Sequence, residues 1–229
     1  MDITLYYQEK GDKEPFILLH GNGEDGSYFK HQIDYFCDRY RVIALDTRGH
    51  GKSPRGTAPF TIEQLSCDLY DFMESLAISN AAILGFSDGA NIAMKFAIKY
   101  PDKVKALILN GGNLNARGVK RSTQIPIEIG YKIASRFASK STGAKKNAEM
   151  LGLMVNESNI ELNELSRITA PTLVICGSND MIKESHTKEI AENIPNAKLS
   201  VIKGDHFIAN KKYVAFNKEV EAFLQIQRG

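Results

Sequence analysis

Residues 81–100 read AAILGFSDGANIAMKFAIKY. An apolar run, Ala81 to Leu84, stops at Gly85. Gly85-Phe86-Ser87-Asp88-Gly89 follows, and then a helical pattern from Ala90 to Tyr100 that Pro101 ends. The stretch predicts a buried strand, a sharp turn and a helix. Ser87 at the junction has two readings. As a helix cap it would use its hydroxyl on a free backbone N–H, but a cap needs no glycine on each side. As a nucleophile in a G-x-S-x-G elbow it does, because strand and helix must approach closely around a serine in an unfavourable backbone conformation.

The same alternation extends outward along the chain. Ile3 to Tyr7, Phe16 to Leu19, Val42 to Leu45, Val104 to Leu109, Leu173 to Cys176 and Leu199 to Ile202 read as further strands. Helices are predicted over Tyr28 to Cys37, Glu184 to Asn193 and Val214 to Gln225. Another starts at Thr61-Ile62-Glu63-Gln64, a capping box, followed by Leu65, Leu69, Phe72, Met73 and Leu76 at helical spacing. Short strands that are apolar on both faces and separated by helices indicate an α/β protein with a mostly parallel sheet flanked by helices. Between Gly112 and Leu173 no strong strand is visible, and Ile125 to about Ile168 suits two or more helices. The expected organisation is a core of residues 1–112 and 170–229, with residues 113–169 inserted as a small helical cap. From Leu114 to Met150 that insertion holds Arg117, Lys120, Arg121, Lys132, Arg136, Lys140, Lys145 and Lys146 against Glu128 and Glu149. A solvated face is the plainer reading of this excess; steering of an anionic partner is the other.

The 229 residues suit one domain with an insertion, and 43% apolar with 24% charged residues is ordinary for a globular chain. A net charge of +2 does not argue for nucleic acid or a membrane surface, and neither is expected as a partner. No basic and apolar leader follows Met1-Asp2-Ile3-Thr4, and no apolar run nears the ~20 residues of a membrane span. Cys37, Cys67 and Cys176 are widely spaced, which suggests neither a disulfide framework nor a zinc site. The expectation is a cytoplasmic protein with free thiols, no metal and no organic cofactor. Oligomeric state is not encoded in any pattern of this kind.

Ligands of such sheets bind beyond the carboxyl ends of the strands. Those ends carry His20-Gly21-Asn22-Gly23, Asp46, Ser87, Asn110-Gly111-Gly112, Asp180 and His206. A serine hydroxyl needs a base, itself oriented by a third group. His31 and His186 fall in predicted helices, and His20 and His50 precede the serine in loops. His206, after the last strand, alone completes the chain order serine, acid, histidine. Asp180, after the Leu173 to Cys176 strand, is the preferred acid; Asp205 is the rival, but as the immediate neighbour of His206 its side chain would point elsewhere. The oxyanion of an acyl-transfer intermediate needs donors. The N–H of Asp88 is one, and the N–H of Asn22 the other, with Gly21 and Gly23 as alternatives. Asp88 and Gly21 are also the residues placed to touch the substrate.

With those motifs, and with Asp46-Thr47-Arg48-Gly49-His50-Gly51-Lys52-Ser53 and Gly177-Ser178-Asn179-Asp180, the chain resembles the α/β-hydrolase superfamily over nearly its whole length. The Asp46 to Ser53 stretch is typical of the single-domain esterase-like branch, where it is a structural turn. Gly85-Phe86-Ser87-Asp88-Gly89 and Gly111-Gly112-Asn113 are most similar to the biphenyl-hydrolase-like proteins, some of which cleave amino-acid esters. The resemblance implies a serine hydrolase acting on a small acyl ester, with Asp88 either structural or facing a cationic part of the substrate. Cleavage of a carbon–carbon bond by the same triad, and ligand binding without chemistry, are the alternatives. A serine at the elbow disfavours epoxide hydrolase and haloalkane dehalogenase chemistry, which in this superfamily use an aspartate there.

Overall fold

A computed structural model describes residues 2–157 and 159–227. Seven strands form one sheet: β1 (Tyr7–Lys10), β2 (Pro15–Leu19), β3 (Arg41–Leu45), β4 (Ala81–Phe86), β5 (Val104–Asn110), β6 (Thr172–Gly177) and β7 (Ala197–Ile202). Their order across the sheet is β1-β3-β2-β4-β5-β6-β7. β1 pairs antiparallel with β3, and every other pairing is parallel. The interior strands alternate between two buried faces, as a period of two dictates. Ile17, Leu19, Ile43, Leu45, Ile83, Leu107 and Val174 meet one layer, built from helices α2 (Ile62–Ser75), α3 (Asp88–Lys99) and α6 (Glu184–Asn193). Phe16, Leu18, Val42, Ala44, Leu84, Ile108 and Ile175 meet the opposite layer, which contains α1 (Lys30–Phe36), α7 (Ile208–Lys211) and α8 (Tyr213–Ile226).

The predicted elements appear in order, with one strand displaced. The first strand covers Tyr7–Lys10 rather than Ile3 to Tyr7. It is an edge strand whose Gln8, Glu9 and Lys10 are exposed, so apolar patterning does not mark it; backbone pairing with β3 does. The helix after β4 starts at Asp88, two residues earlier than Ala90, because the Asp88 peptide already belongs to the first turn.

Between β5 and β6 the chain leaves the sheet. It forms α4 (Arg121–Phe137) and α5 (Thr142–Asn156), which pack on each other where Gly130 lies against Leu151 and Gly152 against Tyr131. It then returns through a 3-10 turn at Leu162–Arg167, where Leu165 and Ile168 join the core on the α3 side. Leu153 of α5 reaches the same core. The outer face of α4 stays open: Ile125, Ile129, Ile133 and Phe137 are all exposed.

Candidate active site

Ser87 sits between β4 and α3 with φ 53° and ψ −120°, a left-handed region that an L-residue occupies at a cost of roughly 1–3 kcal/mol. Its N–H donates to Asn110 O at 2.8 Å, and its carbonyl accepts from the N–H groups of Ala90 and Asn91. Its side chain makes no capping bond. The two glycines explain how the turn closes. A Cβ on Gly85 would lie 2.2 Å from the Gly89 carbonyl oxygen, and one on Gly89 would lie 2.0 Å from that of Leu19. The elbow is therefore pressed against β2, and the hydroxyl is left uncommitted above the sheet.

Asp180 follows β6 and His206 follows β7. The two strands are parallel neighbours, so their carboxyl ends bring together residues 26 positions apart. His206 Nδ1 and Asp180 Oδ1 are 2.6 Å apart, and both side chains are buried. The same Asp180 oxygen accepts from the Ile182 N–H at 3.0 Å, which orients the carboxylate. Asp205 turns away: it accepts from the Phe207 N–H and pairs with Lys211 at the surface. The imidazole ring is held between Phe86 and Phe207, with centroids at 4.8 and 5.5 Å. On a third side stands Gly111, at φ +66°, where a Cβ would come within 2.6 Å of the ring. His206 Nε2 is buried and bonded to nothing among the described residues. It is the nitrogen that a proton from a serine hydroxyl would reach.

The loop after β2 packs on the elbow, since a Cβ on Gly21 would touch the Phe86 ring. Gly21 donates its own N–H to Glu24 Oε2 at 3.2 Å, so that amide is engaged. The Asn22 N–H has no backbone acceptor among the described residues. The Asp88 N–H, first in α3, has no carbonyl one turn before it. The Asn22 side chain bridges to α5, donating to Met150 O at 2.6 Å. Gly23 is exposed, with open space around it.

Asp88 is buried beside this loop. Asn91 Nδ2 donates to its Oδ1 at 3.3 Å, while Oδ2 has no partner. Burial pushes its carboxyl up to about 6, with the Asn22 amide, His206 and the Asn91 amide opposing the rise. Burial likewise pushes Glu24 up to about 7, against the Gly21 N–H that stabilises its ionised form. Sequence reasoning did not single out Glu24, Met150 or the packing role of Gly111. For Gly111 a signal existed in Gly111-Gly112 at a strand end; for the other two only the fold supplies the neighbours.

The remaining histidines are held in structure. His20 and His50 are buried near Thr47, and burial lowers both to about 4, which keeps them neutral. His186 accepts from the Leu114 N–H through Nε2. Asp46 accepts from the Gly26 and Lys52 N–H groups and so ties its turn together. His31 stacks on Tyr213. No group of three or more His, Cys, Asp or Glu placed to hold a metal occurs among the described residues. No helix among them is long and apolar enough to cross a membrane.

Comparison with known proteins gives two family matches. The family described as alpha/beta hydrolase fold matches residues 14–124, and the one described as BAAT / Acyl-CoA thioester hydrolase C terminal matches residues 70–208. The chain is 28% identical to 3-oxoadipate enol-lactonase 2 of Acinetobacter baylyi, over 98% of this chain and 94% of that one. It is 26% identical to the human serine hydrolase BPHL, over 97% and 84% of the two chains. Among solved structures, an esterase from Exiguobacterium antarcticum superposes with a TM-score of 0.83 at 19% identity, covering 97% of this chain and 96% of that one.

Proposed function

Because the chain belongs to the α/β-hydrolase superfamily, we propose that it is a serine hydrolase that cleaves a small carboxylic ester through an acyl-enzyme, with a lactone, which is an internal ester, inside the same class. One observation carries this reading: the buried His206–Asp180 pair, with a free Nε2, packs on Phe86, the residue before a strained Ser87 whose hydroxyl is not spent on capping. Ser87 Oγ attacks the ester carbonyl and His206 Nε2 takes its proton. Asp180 holds Nδ1 and stabilises the imidazolium. The Asn22 and Asp88 N–H groups receive the oxyanion. Collapse breaks the acyl–oxygen bond, and the leaving alcohol takes the proton from His206. Water then attacks the acyl-enzyme by the same route and releases the acid and free Ser87. α4 and α5 act as a cap over this edge, and Asn22 with Met150 is the seam between cap and core. The free thiols and the absence of a membrane-spanning helix among the described residues support a cytoplasmic enzyme.

A fluorophosphonate probe tests the nucleophile. Intact mass rises by one probe unit in the wild type and not in Ser87→Ala; labelling that persists in Ser87→Ala moves the nucleophile elsewhere.

The free Oδ2 of buried Asp88 favours a second, narrower reading, an ammonium group on the acyl side of the ester. A charge-assisted bond of roughly 1.5–3 kcal/mol corresponds to about a 10- to 150-fold preference for an α-amino ester over its des-amino analogue. The ratio of kcat/KM for the two esters, in wild type and in Asp88→Asn, measures it. A ratio near one in the wild type leaves Asp88 with a structural role.

A further inference from the structure

A cavity of about 610 Å3 lies between the turn after β3 and the first half of α5. Gly49 and Gly51, on either side of His50, form its inner wall, and Phe60 closes one flank. Its walls carry three cations, Arg55, Lys145 and Lys146, and a single carboxylate, Glu149. Arg55 neutralises that carboxylate: Nε and Nη2 each lie 3.0 Å from a Glu149 oxygen, and the guanidinium covers the Phe60 ring at 4.8 Å. Lys145 and Lys146 are left over. Neither ammonium makes an ion pair or hydrogen bond among the described residues. Lys146 is close enough to His50 to help keep that imidazole neutral, so its charge is felt at the inner wall of the cavity. Both lysines stand in the first two turns of α5, where no acid is present and where cations oppose the helix dipole. Two uncompensated cations at that end cost stability unless an anion joins them.

No residue of the elbow or the His206 loop lines the cavity, but one of its wall residues is bonded to the loop beside the elbow. Met150 lies on its wall, and the Met150 carbonyl receives the Asn22 side chain. Asn22 in turn borders Asp88, the residue after Ser87. A substrate held at the elbow and extended past Asn22 and Met150 would bring its far end into this cavity, toward the lysines.

Resting on the esterase reading above, we infer that this cavity holds an anionic arm of the substrate, a terminal carboxylate several bonds from the scissile carbonyl, with Lys145 and Lys146 as its counter-charges. The apolar Phe60 and Met150 suit the chain between the two ends.

The test uses p-nitrophenyl monoesters of succinic, glutaric and adipic acid beside p-nitrophenyl esters of neutral acids of equal length. The wild type favours the carboxylated ester in kcat/KM by about 10-fold or more at one chain length at least. Lys145→Met/Lys146→Met brings that ratio near one, Lys145→Arg/Lys146→Arg restores it, and Lys132→Met, on α4, does not change it. Thermal midpoints check that each variant is folded. Calorimetric binding of glutarate to Ser87→Ala, with and without the two lysine changes, gives a readout that needs no turnover; the lysine changes weaken it about 10-fold or more. If Ser87 proves unreactive while glutarate still binds through the lysines, the esterase reading fails and the anion site stands. A ratio near one at every length together with no lysine-dependent glutarate binding overturns the inference. Binding of inorganic phosphate with no preference among the esters overturns it as well, since the site then serves a free anion.

Discussion

The carboxyl edge of the sheet and the helix pair above it are built on opposite terms. Around the elbow and the His206 ring the approaches are tight. Gly85, Gly89 and Gly111 each occupy a place where one added carbon would collide with backbone or with the His206 ring. Arg48 beside this edge is fully buried and bonded to both oxygens of Asp68. The helix pair rests mostly on itself, touches the core through Asn22–Met150, Arg55–Glu149 and Leu153, and leaves four large apolar side chains of α4 in solvent. A reacting constellation tolerates little misplacement, so it belongs on the rigid edge. A pocket that selects substrates can be set by the looser layer.

The largest effect that would sharpen this contrast is on turnover. Asp180→Asn leaves the fold intact and lowers kcat by orders of magnitude, about 10⁴ in the best-studied triad. Asp205→Asn, whose carboxylate faces Lys211 at the surface, costs far less. Steady-state kinetics on one ester reads both, and the reverse order would make Asp205 the acid. Next comes stability. Leu165 is fully buried where the chain returns to the core, and Leu165→Ala costs about 2–5 kcal/mol in denaturant unfolding. Ile133→Ala on the open face of α4 stays within about 0.5 kcal/mol. Equal costs at the two sites would erase the distinction between the layers, or reveal a partner covering α4.

A smaller effect separates the layers by pH. The folded Asp88 carboxyl titrates at about 6, above the ordinary 3.8. A folded-state pKa raised in this way contributes stability that is fully present below about 3.8 and is lost as pH rises through about 6. Removing the ionisable group removes that loss. The thermal midpoint of Asp88→Asn relative to wild type therefore rises between pH 4 and pH 7.5. Glu24, raised from 4.5 to about 7, adds a loss of the same sign between those values and is unaffected by this substitution. A pH-independent difference between Asp88→Asn and wild type would mean that the carboxylate is solvated after all.

Much of the core was legible in the residues alone. Apolar runs of four to six residues, interrupted by helical spacing, suffice for a parallel sheet because both of its faces must be buried. β1 escaped because an exposed edge strand is defined by its pairing with β3 and not by patterning. The elbow was readable because strain and close approach demand glycine at two positions around Ser87, and only composition is needed to see that. The order of serine, acid and histidine named His206, and its place after a strand favoured Asp180 over Asp205, yet the 2.6 Å approach of the two depends on β6 and β7 lying side by side.

What the sequence determined by itself is thus the local chemistry: strands, helices, a glycine-flanked serine, and acid and base residues at strand ends. These follow from short-range sterics and from the period of apolar residues. Only the tertiary structure decided the environment of each group. Gly21 gives its N–H to Glu24, Asp88 keeps an oxygen unpartnered in a buried place, and two lysines from an apparently solvated run line a cavity against the turn after β3. Burial and charge proximity are set by residues far apart in the chain, and no local pattern carries them.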